Sequence, residues 1–213
     1  MANYYPAFLD LHEKECVIVG GGTVAAGKIS QLLACGATVT IISPIITPSI
    51  KEVIATGQIC WHQREYVTGD LNYAFLAIAA TNNPEVNRKV FEEARDNKVL
   101  VNVIDTPEIC DFIAPSVVRR GAGKYAISTG GASPALARKL RESIEDSESM
   151  GYADLAPLLS RARNELRSRG IAVTPEVWQR HINMELVTLV QNGLEQQAFE
   201  HLLESLVKDS NSK

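Results

Sequence analysis

Six residues near the start of the chain have types and spacing suited to holding a phosphate. Gly20-Gly21-Gly22-Thr23-Val24-Ala25 satisfies G-x-G-x-x-A directly after the apolar run Cys16 to Val19 and ahead of a segment with helical periodicity. In that context Gly20 allows a tight turn, Gly22 lets the backbone approach a pyrophosphate, and Ala25 permits close helix–strand packing. The anion would meet the backbone amides from Gly21 through Val24, where the helix dipole favours negative charge. A glycine turn that binds nothing fits the same letters, so the weight rests on the strand before it and the helix after it. The second strand ends Ile41-Ile42-Ser43-Pro44, with no acid for the ribose 2′-hydroxyl of NAD and no Arg for the 2′-phosphate of NADP. Ser43, beside Pro44, is the available substitute, a weaker partner than a carboxylate. The choice between NAD and NADP does not follow from this fingerprint. Thr81 and Asn82, just past the fourth strand, fall at the same carboxyl edge.

A second set of residues is suited to a carboxylate-rich ligand. Asp105 follows the fifth strand, where it reads equally as a general base, a metal-facing carboxylate or a loop cap. From Phe112 to Arg141 there is no acidic residue, while Arg119, Arg120, Lys124, Arg138, Lys139 and Arg141 are all basic. Such cations are ordinarily a solvated helix face. Here the turn Ser128-Thr129-Gly130-Gly131 places hydroxyls and amides ahead of a helix start, which favours anion binding.

Positioning these residues requires a parallel sheet. Short apolar runs alternate with helical patterns up to about residue 113, the rhythm of a Rossmann-type α/β domain. Strands are expected at Cys16 to Val19, Val39 to Ile42, Ile59 to His62, Tyr73 to Ala79 and Val99 to Ile104, with Gly36 closing the first helix and Asn83-Pro84 opening another. After Phe112 the rhythm changes. Residues 114–150 read as a strand at Lys124 to Ile127 and a helix from Ser133-Pro134 to about Met150, too short for a core of their own and best buried as an arm between two copies of a dimer. Residues 151–213 read as a helical domain, with a cap at Thr174-Pro175, a break at Asn192-Gly193 and fraying from Asp209 to Lys213.

The chain has 213 residues, 46% hydrophobic and 22% charged, the balance of an ordinary soluble protein. A formal charge of −4 gives no global attraction to nucleic acid or membrane. No apolar stretch is long enough for a membrane span, and the N-terminus lacks signal-peptide features, so a cytoplasmic location is expected. Cys16, Cys35, Cys60 and Cys110 lie far apart and read as small buried hydrophobes rather than disulfides or zinc ligands. His181 and Glu185, at i, i+4, read as helix surface, because a catalytic zinc site normally needs three protein ligands. No metal site is expected.

Several ordered segments carry a family resemblance. Tyr5-Pro6 with Leu9, Gly20 to Lys28, Ala79-Ala80-Thr81 with Val86-Asn87, Asn102 to Phe112, and Ile127 to Pro134 through Arg138 resemble the precorrin-2 dehydrogenase and sirohydrochlorin ferrochelatase family of sirohaem biosynthesis. The resemblance runs to about residue 145 and is diffuse beyond. It implies NAD as cofactor, precorrin-2 as substrate, oxidation to sirohydrochlorin, and a homodimer formed through the middle segment. It maps a functional carboxylate onto Asp105 and leaves Fe²⁺ insertion open, since members differ in it. A carboxylate-rich tetrapyrrole suits the basic set. Where the family often carries Arg, this chain has Gly27, while Lys28 is kept. Two other readings use the same Rossmann domain: an NAD(H)-sensing regulator, which leaves the Ser-Thr-Gly-Gly segment unexplained, and a dehydrogenase of a smaller carboxylic acid, which needs fewer cations.

Overall fold

The computed structural model describes residues 4–210, which divide into two compact units with the boundary between Ala114 and Pro115. In the first unit the strands β1 (Glu15–Val19), β2 (Thr38–Ile42), β3 (Ile59–His62), β4 (Leu76–Ala79) and β5 (Leu100–Val103) form one parallel sheet in the order β3-β2-β1-β4-β5. Helices α1 (Thr23–Leu33), α2 (Pro48–Ala55) and α3 (Pro84–Asp96) make the crossovers that parallel neighbours require. The strand order reverses between β1 and β4, so a crevice opens at the carboxyl ends of those two strands.

Period-two alternation sorts the side chains to the two faces. Cys16 and Ile18 of β1, with Leu76 and Ile78 of β4, join Ala25, Ile29 and Leu32 of α1 and Ile50 of α2. Val17, Val19, Ala77 and Ala79 face the other way and join Val90 and Ala94 of α3. Burying a branched aliphatic side chain contributes about 2 kcal/mol, more than the spread of intrinsic strand preference, about 1 kcal/mol. Burial on both faces is what makes four-residue strands sufficient here.

The expected elements shift where exposure or hydrogen bonding overrides pattern. The fourth strand begins at Leu76 rather than Tyr73, because Tyr73 is 91% exposed and the Ala74 amide turns back to the Leu71 carbonyl. Cys60 is exposed on the edge strand β3, so only Cys16 is a fully buried thiol, and Cys35 and Cys110 are half-buried. The helix from Pro134 ends at Glu145, not Met150, and a 3₁₀ segment follows at Glu148–Leu155. Helix α2, not among the expected elements, fills the β2–β3 crossover, starting at Thr47-Pro48 and turning Ile50, Val53 and Ile54 toward the core.

The second unit starts with the antiparallel hairpin β6 (Ser116–Arg120) and β7 (Gly123–Ile127), followed by α4 (Pro134–Glu145) and the 3₁₀ segment. Four helices complete it: α5 (Ala156–Ser168), α6 (Pro175–His181), α7 (Met184–Gln191) and α8 (Glu195–Ser210). Their core includes Leu158, Ala162 and Leu166 of α5 with Ala198, Leu202 and Leu206 of α8. Arg120 makes a two-pronged ion pair with Asp154 (2.6 and 3.0 Å), tying the hairpin to the 3₁₀ segment. His181 and Glu185 lie on different helices, and His181 Nε2 instead meets Asp209 (3.1 Å), which also pairs with Arg180 (2.7 Å). Asp209 and Ser210 are thus helical and anchored rather than frayed, and residues 211–213 of that expected tail lie outside the described residues. Among the described residues no helix is long and apolar enough to cross a membrane, and no group of three or more metal-ligating side chains forms.

A buried carboxylate staples the loop before β4. Glu93 of α3 accepts the amides of Gly69 (3.1 Å) and Leu71 (2.9 Å) and the hydroxyl of Tyr66. Burial and this neighbouring charge push the Tyr66 phenol far above its usual range. Removing the carboxylate leaves the buried Leu71 amide and the half-buried Tyr66 hydroxyl without an acceptor, so Glu93→Ala should lose about 3 kcal/mol of unfolding free energy. Urea denaturation with an unchanged midpoint would show the staple to be dispensable.

Candidate active site

Three consecutive glycines serve different physical needs. Gly20 holds φ +119°, and a Cβ on it would stand 2.3 Å from the Ala80 carbonyl oxygen, so the end of β1 can pass the end of β4 only as glycine. A Cβ on Gly21 would stand 2.2 Å from the Ile45 oxygen, where the Gly21 carbonyl also accepts the Thr47 amide (3.0 Å). Gly22 is unlike both. Its backbone is extended, and a Cβ there would meet no protein atom within 4 Å. Packing does not require glycine at this position, whereas a ligand lying against the backbone does. Ala25 is fully buried against the sheet, while Thr23 and Val24 are exposed.

Helix α1 starts with no capping side chain and no acid in its first turn, leaving its first amides for a ligand. In contrast, the Asn83 side chain caps α3 and the Ser133 side chain caps α4. Lys28 is half-buried on α1, and burial pushes its amine below the usual range. Gly27, where the family often has Arg, faces open space.

The other edge residues separate into loop braces and free groups. Ser43 is buried: its hydroxyl donates to the Ile45 carbonyl (2.7 Å) and its carbonyl accepts the Trp61 indole (2.9 Å). Pro44 and Ile45 lie exposed beside it. The Ser43 amide reaches the His62 carbonyl of β3 (3.2 Å), and two residues on, Arg64 is gripped by Asp70 (2.7 and 2.8 Å). That guanidinium holds the Asp70 carboxyl below the usual carboxylate range. The Thr81 hydroxyl donates to Asn87 (2.7 Å) and accepts the Asn83 amide (3.1 Å), fixing the start of α3. The Asn82 side chain is exposed, with no partner among the described residues.

Asp105 stands one residue past the point where Ile104 bonds the Ala79 carbonyl (3.0 Å). Its φ is +60°, and its exposed carboxylate has no partner among the described residues. A non-glycine residue in that region costs about 1–3 kcal/mol and persists only where its surroundings enforce it. A loop-capping Asp would be hydrogen-bonded; this side chain makes no such bond among the described residues.

Residue spacing alone assigns no role to the residues that enforce this turn. Along the open edge of β5, Asp111 exchanges bonds with Val101, its carboxylate accepting the Val101 amide (3.0 Å) and its amide donating to the Val101 carbonyl (2.9 Å). Asn102, buried, donates to the Phe112 carbonyl (2.9 Å), and the Cys110 sulfur accepts the Val103 amide (3.1 Å). A polar Asn inside an apolar strand is the one sequence signal that marks this edge.

In the second unit, the Ser128 hydroxyl accepts the Gly130 amide (3.0 Å), and Thr129 accepts the Ser133 amide (3.1 Å). Gly130 has φ +63°, which shapes the turn ahead of α4. Of the six expected cations, Arg120 is taken by Asp154, Arg138 by Glu142 and Arg141 by Glu145. Arg119 and Lys124 have no acidic partner among the described residues, and Arg138, Arg141 and Lys139 together hold the Glu142 carboxyl below its usual range.

Comparison with known proteins agrees with this arrangement. A family model described as "Putative NAD(P)-binding" matches residues 7–116, just over half of the chain, and one described as "Sirohaem biosynthesis protein central" matches residues 126–147. A siroheme synthase of Nitrosomonas europaea is 37% identical over 207 residues, 96% of this chain and 44% of the relative. A siroheme synthase of Methylobacillus flagellatus is 40% identical over 164 residues, 77% of this chain and 35% of the relative. The chain thus spans less than half the length of these relatives. The solved structure of SirC, a precorrin-2 dehydrogenase, superposes with a TM-score of 0.71 at 27% identity, covering 96% of this chain and 100% of that one. The glycine loop, the switch point and the family match converge on one conclusion: the chain belongs to the NAD(P)-binding family whose model spans its parallel-sheet unit, and it carries the central segment of the sirohaem biosynthesis proteins.

Proposed function

We propose that this chain is the NAD-dependent dehydrogenase that oxidises precorrin-2 to sirohydrochlorin in sirohaem biosynthesis, acting in the cytoplasm as a homodimer. One observation carries the reading: the same sheet edge holds a glycine that packing does not require, Gly22, at the uncapped start of α1, and a carboxylate at positive φ with no partner among the described residues, Asp105. The names of its relatives supply the substrate class.

Bound NAD supplies the hydride acceptor. The chain's own residues do the rest. Amides from Gly21 through Val24 would hold the pyrophosphate, Gly20 sets the turn, and Ser43 and Pro44, with Thr81 and Asn82, would line the rest of the cofactor site. Asp105 accepts the proton that the macrocycle releases as it loses hydride. Ser128, Thr129 and Gly130, with Arg138 and Arg141, receive substrate carboxylates. Exposed i, i+4 ion pairs such as Arg138–Glu142 are weak because solvent screens them, so a polyanionic ligand displaces them readily. NAD is favoured over NADP because Ser43 and Pro44 offer no cation and Arg64, beyond β3, is already held by Asp70. The four unpaired cysteines accord with a reducing compartment.

Helix α4 supports the dimer. None of its residues is buried, and Leu136 and Leu140, one turn apart on one face, are 50% and 41% exposed. A second copy is the occupant that the middle segment of this family implies. The same free carboxylate of Asp105 is the candidate group for Fe²⁺ insertion, as proton acceptor or oxygen ligand.

The direct test incubates purified protein with NAD and enzymatically made precorrin-2, and the sirohydrochlorin spectrum should appear. Sirohydrochlorin with Fe²⁺, supplied anaerobically without NAD, then separates the second activity; insertion no faster than the uncatalysed control leaves a dehydrogenase alone. In fluorescence titration NAD should bind more tightly than NADP, and Gly22→Val should abolish binding while melting like the wild type. A folded Gly22→Val that still binds NAD would make the glycine structural only. Asp105→Asn should lower kcat on the order of a hundredfold with little change in NAD affinity. Unaltered turnover would remove its assigned role. Replacing Leu136 and Leu140 together by Asp should convert dimer to monomer in sedimentation, and a wild-type profile would place the interface elsewhere.

A further inference from the structure

The four-residue turn from Val103 to Thr106 carries Asp105 at its third position, where a positive φ is ordinarily met by glycine or asparagine. One backbone bond closes it, from the Thr106 amide to the Val103 carbonyl (3.2 Å). The Thr106 hydroxyl also reaches the Ile104 carbonyl (3.4 Å) and the Ile104 amide is tied to Ala79 (3.0 Å), but the group that touches both ends of the turn is a thiol. Cys110 Sγ accepts the Val103 amide (3.1 Å) and stands 3.3 Å from both the Val103 and the Thr106 carbonyl oxygens, either of which takes its proton. The side chain of Asn102 reaches the same sulfur (3.6 Å) and holds the Phe112 carbonyl beyond it (2.9 Å). The thiol therefore bridges both ends of the turn at once. Burial pushes Cys110 above the usual thiol range, which keeps the donor proton in place.

We propose that Cys110 is the positioning residue for Asp105: its thiol clamps Val103 to Thr106 and so holds the Asp105 carboxylate in its left-handed conformation at the sheet edge. The proposal rests on the reading of Asp105 as proton acceptor. Without the clamp, Asp105 can relax toward the ordinary β or α regions, releasing the strain and carrying the carboxylate away from the crevice. The remote glycine loop would be untouched. Alanine removes both the donor and the acceptor, whereas serine keeps both on a shorter bond.

The test compares Cys110→Ala and Cys110→Ser, alone and in the Asp105→Asn background. Cys110→Ala should lower kcat for precorrin-2 oxidation by about tenfold, the scale of a small misplacement of a reacting group, with the dissociation constant for NAD within about twofold of the wild type. Cys110→Ser should recover most of the rate. Amide hydrogen exchange, read without substrate or NAD, should speed up at Val103 and Thr106 in the alanine variant and leave Val17 and Val39 protected. In the Asp105→Asn background, Cys110→Ala should change the residual rate less than twofold, because the group it positions is gone. Wild-type kcat or unchanged exchange at Val103 in Cys110→Ala overturns the proposal, as does a full tenfold further loss in the double variant. If Asp105→Asn itself oxidises precorrin-2 normally, the proton-acceptor reading falls and this proposal with it; if Asp105→Asn is impaired and Cys110→Ala is not, the clamp alone is wrong.

Discussion

The close passage of Gly20 over the Ala80 carbonyl is the constraint on which the first unit depends. β1 and β4 are neighbours that send their following chains to opposite faces of the sheet, toward α1 on one side and α3 on the other. The two exits can lie side by side only if one has no side chain, and the +119° φ of Gly20 combines that absence with a turn closed to L residues. From this contact follow the crevice at the switch point and the direction of α1. The start of α1 is then presented to the crevice with its amides unclaimed.

Around the crevice, most polar groups that look available are already used to hold the scaffold. Ser43 braces the β2 loop, Thr81 and Asn87 fix the start of α3, and Arg64 is neutralised by Asp70. Buried or half-buried groups of this kind must be paired, since an orphaned donor or acceptor costs about 1–3 kcal/mol. Among the described residues, the groups left unpaired on this edge include the informative ones: the first amides of α1, the Asn82 side chain and the Asp105 carboxylate. The outer edge of β5 obeys the same rule by an unusual means. With no sixth strand beside it, side chains of the returning loop take the ladder positions, and the open edge is closed while the acidic turn is made rigid.

The second unit shows a different balance. Its helices bury a continuous aliphatic core, but its hairpin and α4 contribute almost nothing to that core. The cations there are partly neutralised by acids one helical turn away, which keeps the segment soluble and its charge exchangeable. A single internal ion pair, Arg120 with Asp154, joins the hairpin to the 3₁₀ segment.

The parallel α/β unit was legible in the chain, because burial on both sheet faces writes nearly continuous apolar runs, and because the spacing of Gly20 to Gly22 and Ala25 between strand and helix is visible even though the contacts that require Gly20 and Gly21 are not. The cap at Asn83, the break at Gly193 and the position of Asp105 after the fifth strand were equally local. The start of β4 was not, since an apolar Tyr73 reads like strand until its exposure is known. Nor could spacing separate Gly21, excluded from carrying a side chain by the Ile45 carbonyl, from Gly22, which has open space around it. Which polar side chains are braces and which are free emerges on folding, because a hydrogen bond between Cys110 and Val103, or Glu93 and Leu71, depends on chain segments brought together in space rather than on any residue's own type.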